Sequence, residues 1–320
     1  MRAILSLALL ASPLSAQDTD WLSYGGGVHG RRHSELAEIN TTNAAKLVPQ
    51  WIFQTGLPGR FQSVPLVTQG RIYFTGPSNH AWALDALTGA SLWHYTSELP
   101  TGINLCCGQM NRGFAISGDR LFKVNVEGDL VALEIATGRV AWKTKLADFK
   151  RGYSATGAPL IVKDMVLTGI AGAEFGTRGF IDAYRIKDGM RVWRFWTIPA
   201  PAERGGETWP SGFYERGGGS TWITGTYDPD LNLLYWGTGN PGPDMDGEPR
   251  PGDNLYSCSV VALNPDTGEL KWHYQFTPHD VHDWDSVGDP VLADIQKDGR
   301  SVKALLFANR LKKIHRYHSS

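Results

Sequence analysis

The chain has 320 residues and a formal net charge of −1; 42% of its residues are hydrophobic and 11% aromatic. That is enough apolar material for one large or two ordinary globular domains, and it excludes a disordered chain. No basic stripe or long charge run occurs, so nothing electrostatic points to nucleic acid or an anionic membrane surface, and a small neutral molecule is the expected partner.

Residues 1–16 carry Arg2, then an apolar run at 4–11, then small residues ending in Ser15-Ala16, the three-part pattern of a secretory leader. They predict export to an oxidising compartment, the periplasm. The apolar run is too short for a bilayer, and no later segment has the roughly 18 continuous apolar residues of a spanning helix. After the leader, Trp51 is expected to end an unpaired outer strand, and residues 42–47 to form a single helical turn.

A phrase of Ala, an apolar residue, Gly six positions after the Ala and Trp four after the Gly then recurs. It runs through Ala83, Gly89 and Trp93; Ala132, Gly138 and Trp142; Ala183, Gly189 and Trp193; and Ala262, Gly268 and Trp272. Each copy reads as a strand, a turn with Gly in the left-handed region, and a return strand anchored by Trp. Strand-like runs precede each copy at 71–75, 121–126, 165–169 and 234–237, giving about four short strands per unit. The first two steps between glycines have the period of a propeller blade, and the last carries an insertion. The expected fold is all-β, a radial propeller whose four tryptophans dock one blade on the next.

Polar stretches fall between these copies, where loops would project toward the axis. Adjacent Cys106 and Cys107 could form a bridge only through a distorted ring, yet neighbouring thiols in an oxidising compartment are prone to oxidise; two small buried apolar residues are the other reading. Cys258 reads as a buried free thiol. Glu174 is flanked by small residues in Ala171-Gly-Ala-Glu174-Phe-Gly176, and Trp222 follows a glycine run, where it could stack on a planar ligand or fill the core. Residues 278–285 pack His279, Asp280, His282, Asp283 and Asp285 together. Asp283 and Asp285 are two apart, so in an extended segment they would point the same way and could share a hard cation; a polar, solvated surface loop is the other reading. A fifth unit starts at 290–293 and 303–310 and stops in a basic tail at 311–320 without a Gly turn or an anchoring Trp.

Cys106-Cys107, Asn111-Arg112-Gly113, Gly172-Ala-Glu174, Gly217-Gly-Gly-Ser-Thr-Trp222, Gly237-Thr-Gly-Asn240-Pro241 and His279-Asp-Val-His-Asp283-Trp-Asp285 occur in one order. Together with the opening Asp20-Trp-Leu-Ser-Tyr-Gly, this order resembles the quinoprotein methanol/ethanol dehydrogenase family, which carries pyrroloquinoline quinone (PQQ) on an eight-bladed β-propeller. The resemblance implies a vicinal disulfide of Cys106 and Cys107 on one face of PQQ and Trp222 on the other. It implies that Arg112, Thr156, Gly172, Ala173, Ser220 and Arg310 bond or border the cofactor. Gln62 stands where many relatives have Glu, which makes that contact neutral. Glu174, Asn240 and Asp283 match metal ligands for Ca²⁺ or a lanthanide, and Asp283 also matches the general base. Asp285 matches the additional Asp associated with lanthanide use.

The expected activity is periplasmic oxidation of a small alcohol to an aldehyde by metal-assisted hydride transfer to PQQ, with a soluble cytochrome c as electron acceptor. A homo-oligomer is left open by the sequence. The expected organisation is a leader at 1–16, a partial propeller at 17–310 with about half of the ring, and an aberrant or truncated tail at 311–320. The alternatives are a non-catalytic propeller that serves as a binding or assembly platform, and an inactive fragment of the dehydrogenase.

Overall fold

The structure, a computed structural model, describes residues 20–310 and the strand at 314–318; the expected leader lies outside them. Among the described residues nineteen strands form five antiparallel sheets in simple chain order. The first sheet holds β1 (Leu66–Thr68), β2 (Arg71–Thr75), β3 (Ala81–Asp85) and β4 (Ser91–Tyr95), and the second β5 (Ala115–Ser117), β6 (Arg120–Asn125), β7 (Asp129–Glu134) and β8 (Val140–Lys145). The third holds β9 (Leu160–Val162), β10 (Met165–Gly169), β11 (Phe180–Arg185) and β12 (Arg191–Trp196), and the fourth β13 (Thr226–Asp228), β14 (Leu233–Gly237), β15 (Ser259–Leu263) and β16 (Leu270–Gln275). The fifth holds β17 (Val291–Lys297), β18 (Arg300–Ala308) and β19 (Ile314–His318), so backbone of the basic tail supplies a third strand. Among the described residues helical structure is limited to single 3-10 turns, one of which, Ala44–Lys46, falls within the turn expected at 42–47.

Successive strand residues point to opposite faces, and here each face belongs to a different core. Met165, Leu167, Ile181 and Ala183 pack toward Tyr227, Leu234 and Val261 of the fourth sheet. Their neighbours Val166, Phe180 and Tyr184 pack toward Phe122, Val124 and Leu130 of the second. The same division joins the first sheet to the second and the fourth to the fifth. A stack in which every middle sheet is buried on both sides is a propeller arrangement.

The recurring phrase has a single physical cause. In each copy the Ala faces the Trp across a strand pair (Ala83 and Trp93, Ala132 and Trp142, Ala183 and Trp193, Ala262 and Trp272), and a β-bulge follows the Ala. The small side chain leaves room for the indole, and the bulge twists it outward toward the next sheet. There the indole lies on the turn glycine of the following copy: a Cβ on Gly138, Gly189 or Gly268 would lie 2.6–2.7 Å from Trp93, Trp142 or Trp193. The indole Nε1 donates to a backbone carbonyl of the same turn, from Trp93 to Ile135 at 3.1 Å, Trp142 to Ile186 at 2.9 Å and Trp193 to Pro265 at 2.8 Å. Trp51 belongs to this series as well. It lies outside any strand, yet it donates to Ala86 at 3.1 Å and covers Gly89, so it docks on the first sheet as the others dock on theirs.

In a sheet of order 1-2-3-4, the turns between second and third strands and the connectors from fourth to next first strand lie at one end, and the tryptophan-docking turns at the other. The segment from Trp21 to His29 crosses the first strands, bonding to Val67, Ile116, Tyr227 and Leu292.

Candidate functional site

All the candidate residues fall in connectors at one end of the stack. Cys106, Cys107 and Arg112 lie between β4 and β5, Thr156 between β8 and β9, Ser220 and Trp222 between β12 and β13, and Asp283 and Asp285 between β16 and β17. Gly172, Ala173 and Glu174 lie in the β10–β11 turn, Asn240 in the β14–β15 connector and Arg310 after β18. Antiparallel order alone therefore gathers residues from Cys106 to Arg310.

Hydrogen bonds join seven of them. Arg112 donates from Nη1 to Thr156 Oγ1 at 2.8 Å, and its guanidinium lies 4.6 Å from the Trp222 ring centroid. Trp222 Nε1 donates to Asp285 Oδ2 at 3.1 Å, and the other Asp285 oxygen accepts the Asn240 backbone N–H at 2.9 Å. Gly239 is required here, because a Cβ would lie 2.5 Å from Asp285 Oδ1 and 2.7 Å from Ser220 Oγ. Arg310 donates to the Asp283 carbonyl at 2.7 Å and stands 3.8 Å from Asp285 Oδ2. Cys106 and Cys107 are exposed and joined by a disulfide, and an oxygen of Glu174 lies within 4.8 Å of their sulfurs. Glu174 sits in a 3-10 turn, Ala173–Phe175, with Gly172 before it at φ +115° and Gly176 after it at φ +68°. Gln62 is exposed, and no hydrogen bond among the described residues ties its side chain to the others. Cys258 is a buried free thiol, as expected.

The expectation that Asp283 and Asp285 share one side of an extended segment does not hold. Asp283 has φ +57°, a left-handed residue that breaks the period of two. The loop is instead built around buried Asp280, whose carboxylate accepts the backbone N–H of His282 at 3.3 Å and of Trp284 at 2.9 Å. Asp285 ends buried and Asp283 half-buried, and like-charge repulsion still couples them. His279 bonds to the Gly252 carbonyl, and exposed His282 stacks on Trp284 with its Nδ1 3.9 Å from Asp280 Oδ1.

Sequence reasoning missed two residues. Asp244 accepts the Asn240 side-chain amide at 2.8 Å and, with Glu174, Ala173, Phe213 and Arg216, lines an open cavity of about 400 Å³. Fully buried Arg250 donates to the carbonyls of Pro243, Asp244 and Asp280 and to Asn254 Oδ1, pinning the turn that carries Asp244 to the loop that carries Asp283. A carboxylate four residues after Asn240, followed six later by an Arg, was the visible signal.

The electrostatics are those of crowded anions. Burial pushes the Asp285 pKa up to about 6, against the Asn240 N–H, which lowers it; repulsion from Asp283 adds to the rise. Burial also raises Asp283, where Arg310 opposes the shift and Asp244 and Asp280 add to it. Glu174 opens on the cavity yet is ringed by protein, and desolvation followed by repulsion from Asp244 and Asp283 raises its pKa. The donors are all oxygen: the carboxylates of Glu174, Asp283 and Asp285 and the Asn240 amide, with the Asp244 carboxylate beside them. Nearby sulfurs are bonded to each other and cannot serve as thiolates. Among the described residues no three of these carboxylates place oxygens within 4.8 Å of one another, and the cavity is lined by Glu174 and Asp244. This set fits a large, hard cation such as Ca²⁺ or a lanthanide, whose charge would favour the ionised carboxylates.

Over residues 21–315 the sequence matches the family described as PQQ, glucose/ethanol/alcohol dehydrogenase, β-propeller domain. It is 40% identical to the quinoprotein alcohol dehydrogenase PedH of Pseudomonas putida, covering 96% of this chain and 54% of that protein. It is 36% identical to the lanthanide-dependent methanol dehydrogenase of Methylacidiphilum fumariolicum, covering 93% and 52%. The fold superimposes on a europium-containing methanol dehydrogenase with a TM-score of 0.87 at 37% identity, over 91% of this chain and 55% of that one. For the quinohemoprotein alcohol dehydrogenase of Comamonas testosteroni the TM-score is 0.89 at 34% identity, over 95% and 48%. The chain thus spans about half the length of the relatives it matches.

Proposed function

Because the chain belongs to the PQQ-dependent glucose/ethanol/alcohol dehydrogenase propeller family, we propose that it is the part of an exported alcohol dehydrogenase that holds the cofactor and a hard cation. The observation that carries this reading is the bonded series Trp222, Asp285 and Asn240, which links three separate connectors and joins a flat aromatic face to an all-oxygen donor set. A propeller serving only as a binding platform would have no need of a vicinal disulfide beside Glu174 or of buried, mutually repelling carboxylates.

When bound, PQQ supplies the two-electron acceptor and the cation a Lewis acid. The disulfide of Cys106 and Cys107 and the ring of Trp222 offer flat surfaces for it, with Arg112, Thr156, Gly172, Ala173 and Ser220 around its polar rim. Glu174, Asn240, Asp283 and Asp285 would hold the cation. Asp283 takes the hydroxyl proton of a small primary alcohol on its carboxylate, kept ionised by the cation and by Arg310. Gln62, exposed and unattached to the rest, contributes at most a peripheral contact. A soluble cytochrome c receives the electrons, and the periplasm is the compartment that the leader pattern implies.

The reading is tested by adding PQQ with Ca²⁺ or La³⁺ to the purified protein, as the 320-residue chain and at the full length of its relatives. Dye reduction is followed with methanol, ethanol and 1-butanol. Activity in the longer form that disappears in Asp283→Asn supports it; inactivity of the longer form with every metal and alcohol refutes it.

A further inference from the structure

Asn240 is 4% exposed, and its side chain could present either the amide nitrogen or the amide oxygen to the carboxylates around it. Two acceptors decide between them. Asn240 Nδ2 donates to Asp244 Oδ1 at 2.8 Å and to the Pro241 carbonyl at 3.2 Å. An ionised carboxylate only accepts hydrogen bonds, so the nitrogen must face Asp244. That leaves Asn240 Oδ1 as an acceptor that receives no hydrogen bond among the described residues, on a residue only 4% exposed. Among the described residues the Asp244 carboxylate has this amide as its one hydrogen bond, and Asp244 lines the same cavity as Glu174. Arg250 fixes its position from behind: the guanidinium binds the Pro243 and Asp244 carbonyls and, at 2.6 Å, the Asp280 carbonyl.

Resting on the metal-site reading above, we infer that Asp244 is a positioning and selectivity residue of that site. It turns Asn240 so that Oδ1 faces the cation, and it adds a negative charge beside the ligands. The two effects separate by chemistry. Orientation needs only an acceptor at position 244 and serves any hard cation. Charge favours a trivalent ion over a divalent one, because a fixed anion attracts three charges half again as strongly as two at equal distance.

The test is titration of the metal-free protein with Tb³⁺ and, in competition, with Ca²⁺, read by terbium emission sensitised through the nearby indole of Trp222. The wild type is compared with Asp244→Asn, which keeps an acceptor oxygen without the charge, and with Asp244→Ala, which keeps neither. Asp244→Asn is expected to lower the preference for Tb³⁺ over Ca²⁺ by about tenfold. Asp244→Ala is expected to lose that preference and, in addition, to bind both ions about tenfold more weakly than Asp244→Asn does, the usual size of an outer-shell effect. Wild-type affinity and preference in both variants would overturn the inference, as would equal losses for the two ions in Asp244→Asn. Failure of the wild type to bind either ion would instead sink the metal-site reading itself. Asp244→Asn is nearly isosteric, so it remains informative if Asp244→Ala does not fold, and far-UV circular dichroism shows which case applies.

Discussion

Trp222 donates its indole N–H to Asp285 Oδ2 at 3.1 Å, across 63 residues of chain. The flat ring and the buried carboxylate are therefore one unit, and a change in either is felt by both. Trp222→Phe keeps an aromatic face and removes only the donor. A hydrogen bond to a charged group contributes about 1.5–3 kcal/mol, so this variant should bind Tb³⁺ at least about tenfold more weakly. It should still retain PQQ, whereas Trp222→Ala should lose both. Calorimetric titration of metal and cofactor separately distinguishes the two variants, and equal metal affinity in Trp222→Phe and wild type would refute the coupling.

The docking series predicts a stability effect far from the site. Gly138 has φ +70°, and a Cβ there would meet Trp93 at 2.7 Å. Gly138→Ala therefore combines backbone strain with a clash and should cost about 2 kcal/mol or more. Trp93→Ala, which empties the same contact, should cost about 3 kcal/mol. The two meet at one place, so the double variant should cost clearly less than the sum of the single ones. Urea denaturation of the four proteins measures this, and strict additivity would show that the indole and the glycine are independent.

The propeller was legible because one demand repeats. Ala opposite Trp, a bulge, and Gly beneath the next Trp recur at fixed offsets, and fixed offsets survive in a bare sequence. The placement of candidate residues was legible where loops stay in chain order: Glu174, Asn240 and Asp285 fall in connectors at one end of the stack. Period-two reasoning failed at Asp283 because Asp280 folds the loop back on itself and puts Asp283 in the left-handed region. Asp244 and Arg250 stayed hidden for a different reason. In Pro241-Gly-Pro-Asp244 the aspartate looks like any turn residue, and Arg250 gains its meaning only from Asp280, 30 positions away.

Arg250 itself is a sensitive point. It is 0% exposed and satisfies the carbonyls of Pro243, Asp244 and Asp280 at once. Arg250→Ala strands these buried acceptors and should cost roughly 3–5 kcal/mol. Arg250→Lys cannot reproduce the fork and should recover only part of that. If Arg250→Lys instead matches the wild type in both melting midpoint and Tb³⁺ affinity, the guanidinium geometry does not hold the two loops together.

The carboxylates predict an inverted pH dependence in the metal-free protein. Burial holds Asp285 at about 6 in the folded state, above the ordinary value of 3.8. Below 3.8 the group is neutral in both states and contributes no difference. Between these values the folded state keeps a proton that the unfolded state has released, so stability falls as pH rises, and above about 6 a constant penalty of about 3 kcal/mol remains. Asp285→Asn removes the titration, so its stability relative to wild type should grow from pH 4 to pH 6 and then level off. Paired curves isolate this effect from exposed carboxylates with lowered pKa, such as Asp188 and Asp266, whose slopes run the other way. A bound cation reverses the sign, because it favours the ionised carboxylate that the fold alone disfavours. With saturating La³⁺ at pH 7 the wild type should become the more stable protein. Denaturation curves at four pH values, with and without metal, measure both effects, and a wild-type advantage without metal at pH 7 would contradict the burial argument.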